Sequence, residues 1–330
     1  MEKAEKTLTW LVTGAAGFIG SHLVEDLLLS GQSVVGLDNF STGSRENLED
    51  VARIVGPERW GNFRLAVGDI RDRNACFEAC SGVDTVVHLA AMASVPASLA
   101  NPEACHAVNV NGFLKILSSA RVSGVKRVVY ASSSAVYGDD EGLPKVESRL
   151  GRPLSPYALS KRMDEELADL AWRIYGLPCI GLRFFNVYGT RQDPKGPYAA
   201  VIPLWTEALQ KGERPVIYGD GSSTRDFVSV KDVVRAIRLA AGTENAACFG
   251  EAFNIAAGTS TSLNELFSLM RAEVAKTRPE AGAIEPWFAD FRPGDIRHSS
   301  ADISRARNLL GFEPEISLSQ GLSALLACRR

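Results

Sequence analysis

Residues 155–161 read Ser-Pro-Tyr-Ala-Leu-Ser-Lys, so Tyr157 and Lys161 stand four apart. On a helix that spacing stacks two side chains on one face. A cation beside a phenol favours phenolate, which makes a base of a group whose ordinary pKa is about 10. Seven tyrosines and ten lysines in 330 residues would give about 0.2 such pairs by chance, so the helical spacing needs its surroundings to mean catalysis. A second constellation lies near the start. Gly14, Gly17 and Gly20, in the run GAAGFIG, directly follow the β-rich stretch TWLVT. Three glycines there permit a tight turn, close approach of backbone to a pyrophosphate, and close helix–sheet packing. The helix that follows offers free N–H groups and the positive end of its dipole to phosphate. Asp38 ends the next β-rich stretch, SVVGLD. An acid in that place binds a ribose 2′-hydroxyl and repels a 2′-phosphate, which favours NAD over NADP. Arg45 nearby is the one feature that could soften that preference. Asp69, in GDIRD, reads as an adenine contact, with a simple turn acid as the alternative.

The elements that must position these residues alternate regularly in the first half. Strands are predicted at 9–14, 33–38, 62–69, 84–91 and 126–134, and helices at 18–31, 45–56, 73–80 and 101–123. Such alternation predicts a Rossmann-type, doubly wound parallel sheet covered by helices on both faces. Pro156 fits the first turn of a helix running to Tyr175, with Ser155 as its cap. Residues 178–189 resume a strand and then turn. Helical patterns at 198–211, 230–242, 261–275 and 302–310, set between Gly/Pro-rich connections, predict a smaller C-terminal α/β lobe. A chain of 330 residues exceeds the size at which single cores stop growing, which also favours two lobes. We place the boundary at 185/186 and expect further chain crossings between the lobes.

Composition narrows the function classes. The chain is 45% hydrophobic and 23% charged, as ordinary soluble domains are. A net charge of −3 gives no footing for nucleic acid. The N-terminal residues do not join a basic region to an apolar run, so no leader is expected, and no apolar run reaches the ~20 residues of a membrane span. Six cysteines (76, 80, 105, 179, 248, 328) and four histidines lack metal-site spacing, so no metal is expected. The thiols read as buried side chains in a reducing cytosol.

Taken together, GAAGFIG, GDIRD, HLAA (88–91), SSSAVYG (132–138), YALSK (157–161) and RFFNVYG (183–189) resemble the extended short-chain dehydrogenase/reductase superfamily over essentially the whole chain. Within it the sequence looks most like UDP-sugar 4-epimerases. RQDPKGPYAAVIP, YGDGSSTRDF and FRPGDIRHSSAD look like the UDP-N-acetylglucosamine 4-epimerase branch. The resemblance implies tightly held NAD, regenerated at each turnover, with a UDP-sugar bound between the lobes. It makes Tyr157 the base, Lys161 its electrostatic partner and a ribose ligand, and Ser133 the holder of the reacting oxygen, assisted by Ser134. Further dinucleotide contacts are implied for Phe18, Ile19, Asn39, Gly43, Ile70, Leu89, Ala90, Ala91, Asn109 and Phe185. For the UDP end it implies Asn186, Arg225 and Arg292 on the diphosphate and Asp295 on the ribose. Val201 and Tyr218 would pack against uracil.

Oxidation at sugar C4 is common to several branches. Dehydratases and decarboxylases add carboxylates just before the VYG tyrosine, where this chain has Ser134 and Ala135. Neither relays a proton as a carboxylate does, which favours simple epimerisation. The family position that admits or blocks an N-acetyl group is Ser299, a small residue. UDP-GlcNAc/UDP-GalNAc interconversion is therefore expected, with UDP-Glc/UDP-Gal as a poorer pair. UDP-glucuronate or UDP-GlcNAcA epimerisation or decarboxylation, net dehydrogenation, and a non-catalytic NAD-sensing role remain the alternatives. Family members pair as homodimers through helices that correspond to 101–123 and 155–175. Phe113, Leu114 and Leu117 suit that interface or an ordinary core face equally.

Overall fold

The computed structural model describes residues 7–194, 200–291 and 296–327. Its centre is a parallel sheet whose first five strands are β1 (Thr9–Thr13), β2 (Ser33–Asp38), β3 (Phe63–Val67), β4 (Thr85–His88) and β5 (Arg127–Ser133). Two more, Cys179–Phe184 (β6) and a late strand at Glu251–Ile255, complete the order β3-β2-β1-β4-β5-β6-late strand. The order reverses between β1 and β4. At such a switch point loops diverge beyond the strand ends and leave a crevice.

The period of two along each strand divides its side chains between two cores. Trp10 and Val12 of β1, Val87 of β4 and Val129 of β5 face helices α1 (Phe18–Leu29) and α2 (Arg45–Trp60). Leu11, Val86, Val128 and Tyr130 face the other way. There they meet α3 (Arg73–Cys80) and, past short helices α4 (Val95–Ala100) and α5 (Pro102–His106), α6 (Gly112–Val122) and α7 (Pro156–Tyr175). The helix expected over 101–123 is thus not uniform: Ala107–Asn111 forms a π turn between α5 and α6. Periodicity could not reveal it, since both sides keep the same buried face. Phe113 and Leu117 point into the core, while Leu114 is exposed. Helix α7 begins and ends as its sequence requires. The Ser155 hydroxyl accepts from Ala158 N at 3.1 Å, Pro156 fills the first turn, and Gly176 closes it at φ 66°.

The stretch 178–189 does not make one strand. Chain direction changes at Phe185, so β6 belongs to the large sheet while β7 (Asn186–Tyr188) pairs outside it. The smaller lobe contains α8 (Val201–Lys211), β8 (Val216–Tyr218), β9 (Thr224–Arg225) and β10 (Phe227–Ser229), the last pairing with β7. Helix α9 (Val230–Gly242) then returns to the first core, followed by the late strand Glu251–Ile255, β11. Beyond it come β12 (Thr261–Ser262) on β9, α10 (Leu263–Ala275), β13 (Trp287–Ala289) on β8, α11 (Ser304–Leu310) and α12 (Leu318–Ala327). Ile202, Trp205, Phe267, Met270 and Leu322 form the lobe's own core. The chain therefore passes between sheet and lobe repeatedly. Among the described residues no helix is long and apolar enough to cross a membrane, and five cysteines are free and buried.

Candidate active site

The glycine turn sits at the switch point. Gly14 has φ 69°, a conformation that glycine tolerates and other residues avoid. A Cβ on it would lie 2.9 Å from Ala90 N, and one on Gly20 would overlap the Gly14 carbonyl. Gly17 caps α1 with no side-chain hydrogen bond, which leaves the first turn, with Phe18 and Ile19, facing outward with its dipole uncompensated. Gly43 packs on Ala16 so closely that a Cβ would come within 2.9 Å. The end of β4 is tied to this turn: Leu89 N and Ala90 N both donate to Thr13 Oγ1 at 3.2 Å. Asp38, buried at the end of β2, accepts from Ala16 N at 2.9 Å and Phe40 N at 2.8 Å. Arg45 lies with its guanidinium 4.3 Å from the Phe40 ring centroid. The sequence left open whether it opposed Asp38; here it is engaged in a ring contact.

Asp69 accepts from both Arg71 and Asn39. The Arg71 guanidinium holds its carboxyl well below the usual carboxylate range. Ile70 is buried against Gly112, where any Cβ would collide with it. An open cradle, a buried acid and an uncapped helix end together fit a dinucleotide.

Tyr157 and Lys161 share a face of α7, as their spacing requires. Tyr157 is half-buried, and its backbone N–H donates to Ser98 Oγ at 3.1 Å. Lys161 is 2% exposed and donates to Asp164 Oδ2 at 3.2 Å. Burial pushes the Asp164 carboxyl up to about 6 against the opposing pull of Lys161. His88, inside the sheet beneath, is pushed down to about 3 by burial and by the same ammonium. Ser133 ends β5 and accepts from Ala135 N at 3.1 Å, opening a turn that carries Ser134. Asn109, in the π turn, binds Met92 N and O and donates to Ser160 Oγ at 2.9 Å. It anchors the segment after Ala91 to α7. Phe185 lies in a buried cluster with Val136, Tyr137 and Ala301.

In the smaller lobe one pocket gathers Asn186, Val201, Tyr218 and Arg225, with Trp205 and Phe227 behind them. Arg225 Nη1 donates to Thr224 O at 2.9 Å. Arg292 and Asp295 lie outside the described residues. Ser299 is buried, and its N–H donates to Thr224 O at 3.1 Å, beside Arg225.

Three groups escaped the sequence reading. Asp164 stood three after Lys161 and on the same face, a signal that was available. Asp226, next to Arg225, is buried and accepts from Ala257 N at 2.8 Å and Ala301 N at 3.3 Å; burial pushes it up to about 6. Arg183 grips Glu165 with two hydrogen bonds, of 2.9 and 2.8 Å, and reaches the Tyr137 hydroxyl at 3.1 Å. Both lie inside motifs already noted, Arg183 opening RFFNVYG and Asp226 in STRDF, but their partners are remote in sequence, so the motifs do not show these contacts.

A glycine cradle at the switch point, with a Tyr-x-x-x-Lys helix beside it, defines a dinucleotide-binding oxidoreductase scaffold. The chain belongs to the NAD dependent epimerase/dehydratase family, whose model matches residues 10–256. It is 40% identical over 315 residues to a UDP-glucose 4-epimerase of Mycolicibacterium smegmatis, covering 95% of this chain and 96% of the relative. A UDP-glucuronate 4-epimerase of Thermodesulfobacterium geofontis is 31% identical, covering 95% and 93%. The UDP-N-acetylglucosamine 4-epimerase of Methanobrevibacter ruminantium M1, solved with UDP-N-acetylmuramic acid, superimposes with TM-score 0.89 at 37% identity, covering 98% of each chain. The chain is an NAD-dependent UDP-sugar 4-epimerase, an isomerase.

The cradle yields a direct test. Gly20→Ala forces the added methyl against the Gly14 carbonyl and should weaken NAD binding by about tenfold or more, roughly 1.4 kcal/mol. Calorimetric titration of dinucleotide-stripped protein measures this, and unchanged affinity would contradict the cradle.

Proposed function

We propose that this epimerase interconverts UDP-GlcNAc and UDP-GalNAc, with UDP-Glc/UDP-Gal as a poorer pair. The observation that carries the reading is Ser299: small, buried, and fixed to Thr224 next to Arg225. In the family that the sequence resembles, a large tyrosine at this position blocks the N-acetyl group. A serine leaves room for it.

The pocket of Asn186, Val201, Tyr218 and Arg225 would hold the UDP end, with arginine suited to phosphate because its donors stay charged and forked. Arg292 and Asp295 would complete this grip. NAD, when bound, supplies a reversible hydride acceptor for the sugar C4. Tyr157 takes the proton of the 4-hydroxyl, Ser133 hydrogen-bonds the same oxygen, and Lys161 stands one turn along as its electrostatic partner. The 4-keto sugar turns over while its UDP anchor stays, and Tyr157 returns the proton. Binding energy concentrated on the non-reacting nucleotide permits this loose sugar site. Ser134 and Ala135, standing where related enzymes carry carboxylates, leave no second acid–base pair to divert the ketone.

Tyr157→Phe should lower turnover by about 10²–10⁴-fold while NAD stays bound, as read by product formation and by cofactor content. Substantial retained turnover would remove Tyr157 from the role of base. Incubation with UDP-GlcNAc, UDP-Glc and UDP-GlcA, resolved by anomeric-proton NMR, ranks the sugars. Ser299→Tyr should selectively abolish turnover of the acetylated pair. An unchanged ranking, or preferred conversion of UDP-GlcA, would refute the N-acetyl assignment.

We also infer a homodimer through α6 and α7. Leu114, Leu170 and Tyr175 are exposed and flank one groove between these helices, with Ile174 exposed nearby. Apolar faces of this kind mark association surfaces. Light scattering should give twice the 35.6 kDa chain mass; a monomer at micromolar concentration would exclude the pairing.

A further inference from the structure

Tyr157, Lys161 and Asp164 follow one another at intervals of four and three along α7, so they share a face, and α7 packs on β5 and β6. The Lys161 ammonium thus has a phenol one turn before it and a carboxylate one turn after. Lys161 and Asp164 are 2% and 1% exposed and 3.2 Å apart. Asp164 Oδ1 has no hydrogen-bond partner, so its charge is directed chiefly to the ammonium.

The surroundings supply no substitute. From β4, His88 is neutral at ordinary pH, because burial pushes it far down. From β5, the Tyr130 hydroxyl is held protonated by burial, and Cys179 of β6 is likewise pushed up to about 12. From α5, the Cys105 thiol is raised by burial. Glu165, the next residue of α7, is taken by Arg183 of β6. Among the described residues, Asp164 is therefore the carboxylate that balances Lys161. In a region of low dielectric the potential at a third group depends strongly on whether both charges are present.

We propose that Asp164 is the counter-ion that sets how much positive potential Lys161 projects on the Tyr157 hydroxyl. It is a positioning residue, acting through the lysine without touching the sugar. The inference rests on the reading of Tyr157 as the base. Ionised, Asp164 damps the ammonium; protonated, it releases it. Its carboxyl is raised above the ordinary value, so damping sets in as pH rises through about 6 and is absent in acid.

Asp164→Asn keeps the side-chain volume and a hydrogen-bond acceptor for Lys161 while removing the charge. The acid limb of the kcat/KM profile should move to lower pH by about one pH unit, with KM for the UDP-sugar within about twofold of wild type. A second readout needs no turnover. The absorbance difference between the protein and its Tyr157→Phe variant isolates the phenolate signal of Tyr157. In the Asp164→Asn background that signal should rise at lower pH. Activity reduced equally at every pH, with both titrations unmoved, would overturn the proposal. If Tyr157→Phe retained turnover, the base assignment would fail, while the phenolate titration would still judge the coupling. Should Asp164→Asn not fold, Lys161→Met combined with Asp164→Asn should recover folding, because no unpaired charge remains buried. An unfolded double variant would count against the counter-ion role.

Discussion

Holding a lysine ammonium inside an apolar sandwich is the constraint around which this site is arranged. An unpaired buried charge costs several kcal/mol, so the lysine needs a partner on its own helix, and Asp164 is there. The groups beneath it must add no further charge, which the neutral His88 and the protonated Tyr130 satisfy. The helix itself must not shift. Ser155 fixes its first turn, Ser98 holds the backbone of Tyr157, and Asn109 clasps Ser160. That last contact comes from a π turn, the kind of local widening that helices often show at functional sites.

The pocket of the smaller lobe meets the opposite requirement, rigidity away from Tyr157. Asp226 is its central tie. Its backbone carbonyl accepts from Asn186 N, and its carboxylate accepts from Ala257 and Ala301. Three separate segments thereby converge beside Arg225. The Arg183–Glu165 pair does similar work beside β5, since Ser132 donates to Glu165 and Arg183 reaches the hydroxyl of Tyr137. Both ties are buried, where a satisfied polar network specifies one arrangement and a broken one is costly.

Much of this was legible in the sequence because its signals are local. Alternating apolar residues placed the strands, and Ser155-Pro156 and Gly176 bounded α7 within the expected residues. The glycine turn announced itself by spacing and by Asp38. What stayed hidden depends on partners far along the chain. Phe185 reads as mid-strand, yet the chain there leaves one sheet for another pairing. Leu114 and its neighbours Phe113 and Leu117 look alike in sequence, but only the first is exposed. Asp164 differs from these: its partner Lys161 is only three residues away, but on a helix rich in acids a carboxylate ordinarily faces water, and packing shows that this one does not.

The late arrival of β11 has a consequence for synthesis. Strand β6 is buried along its whole length, and the neighbour that covers its outer edge is Glu251–Ile255, reached only after β7 to β10 and α9 have been made. Until then the nascent chain carries an apolar strand with open backbone donors and acceptors, a template for pairing with another chain. A sheet closed by so late a strand thus leaves the edge of β6 uncovered until residues 185–250 have been made.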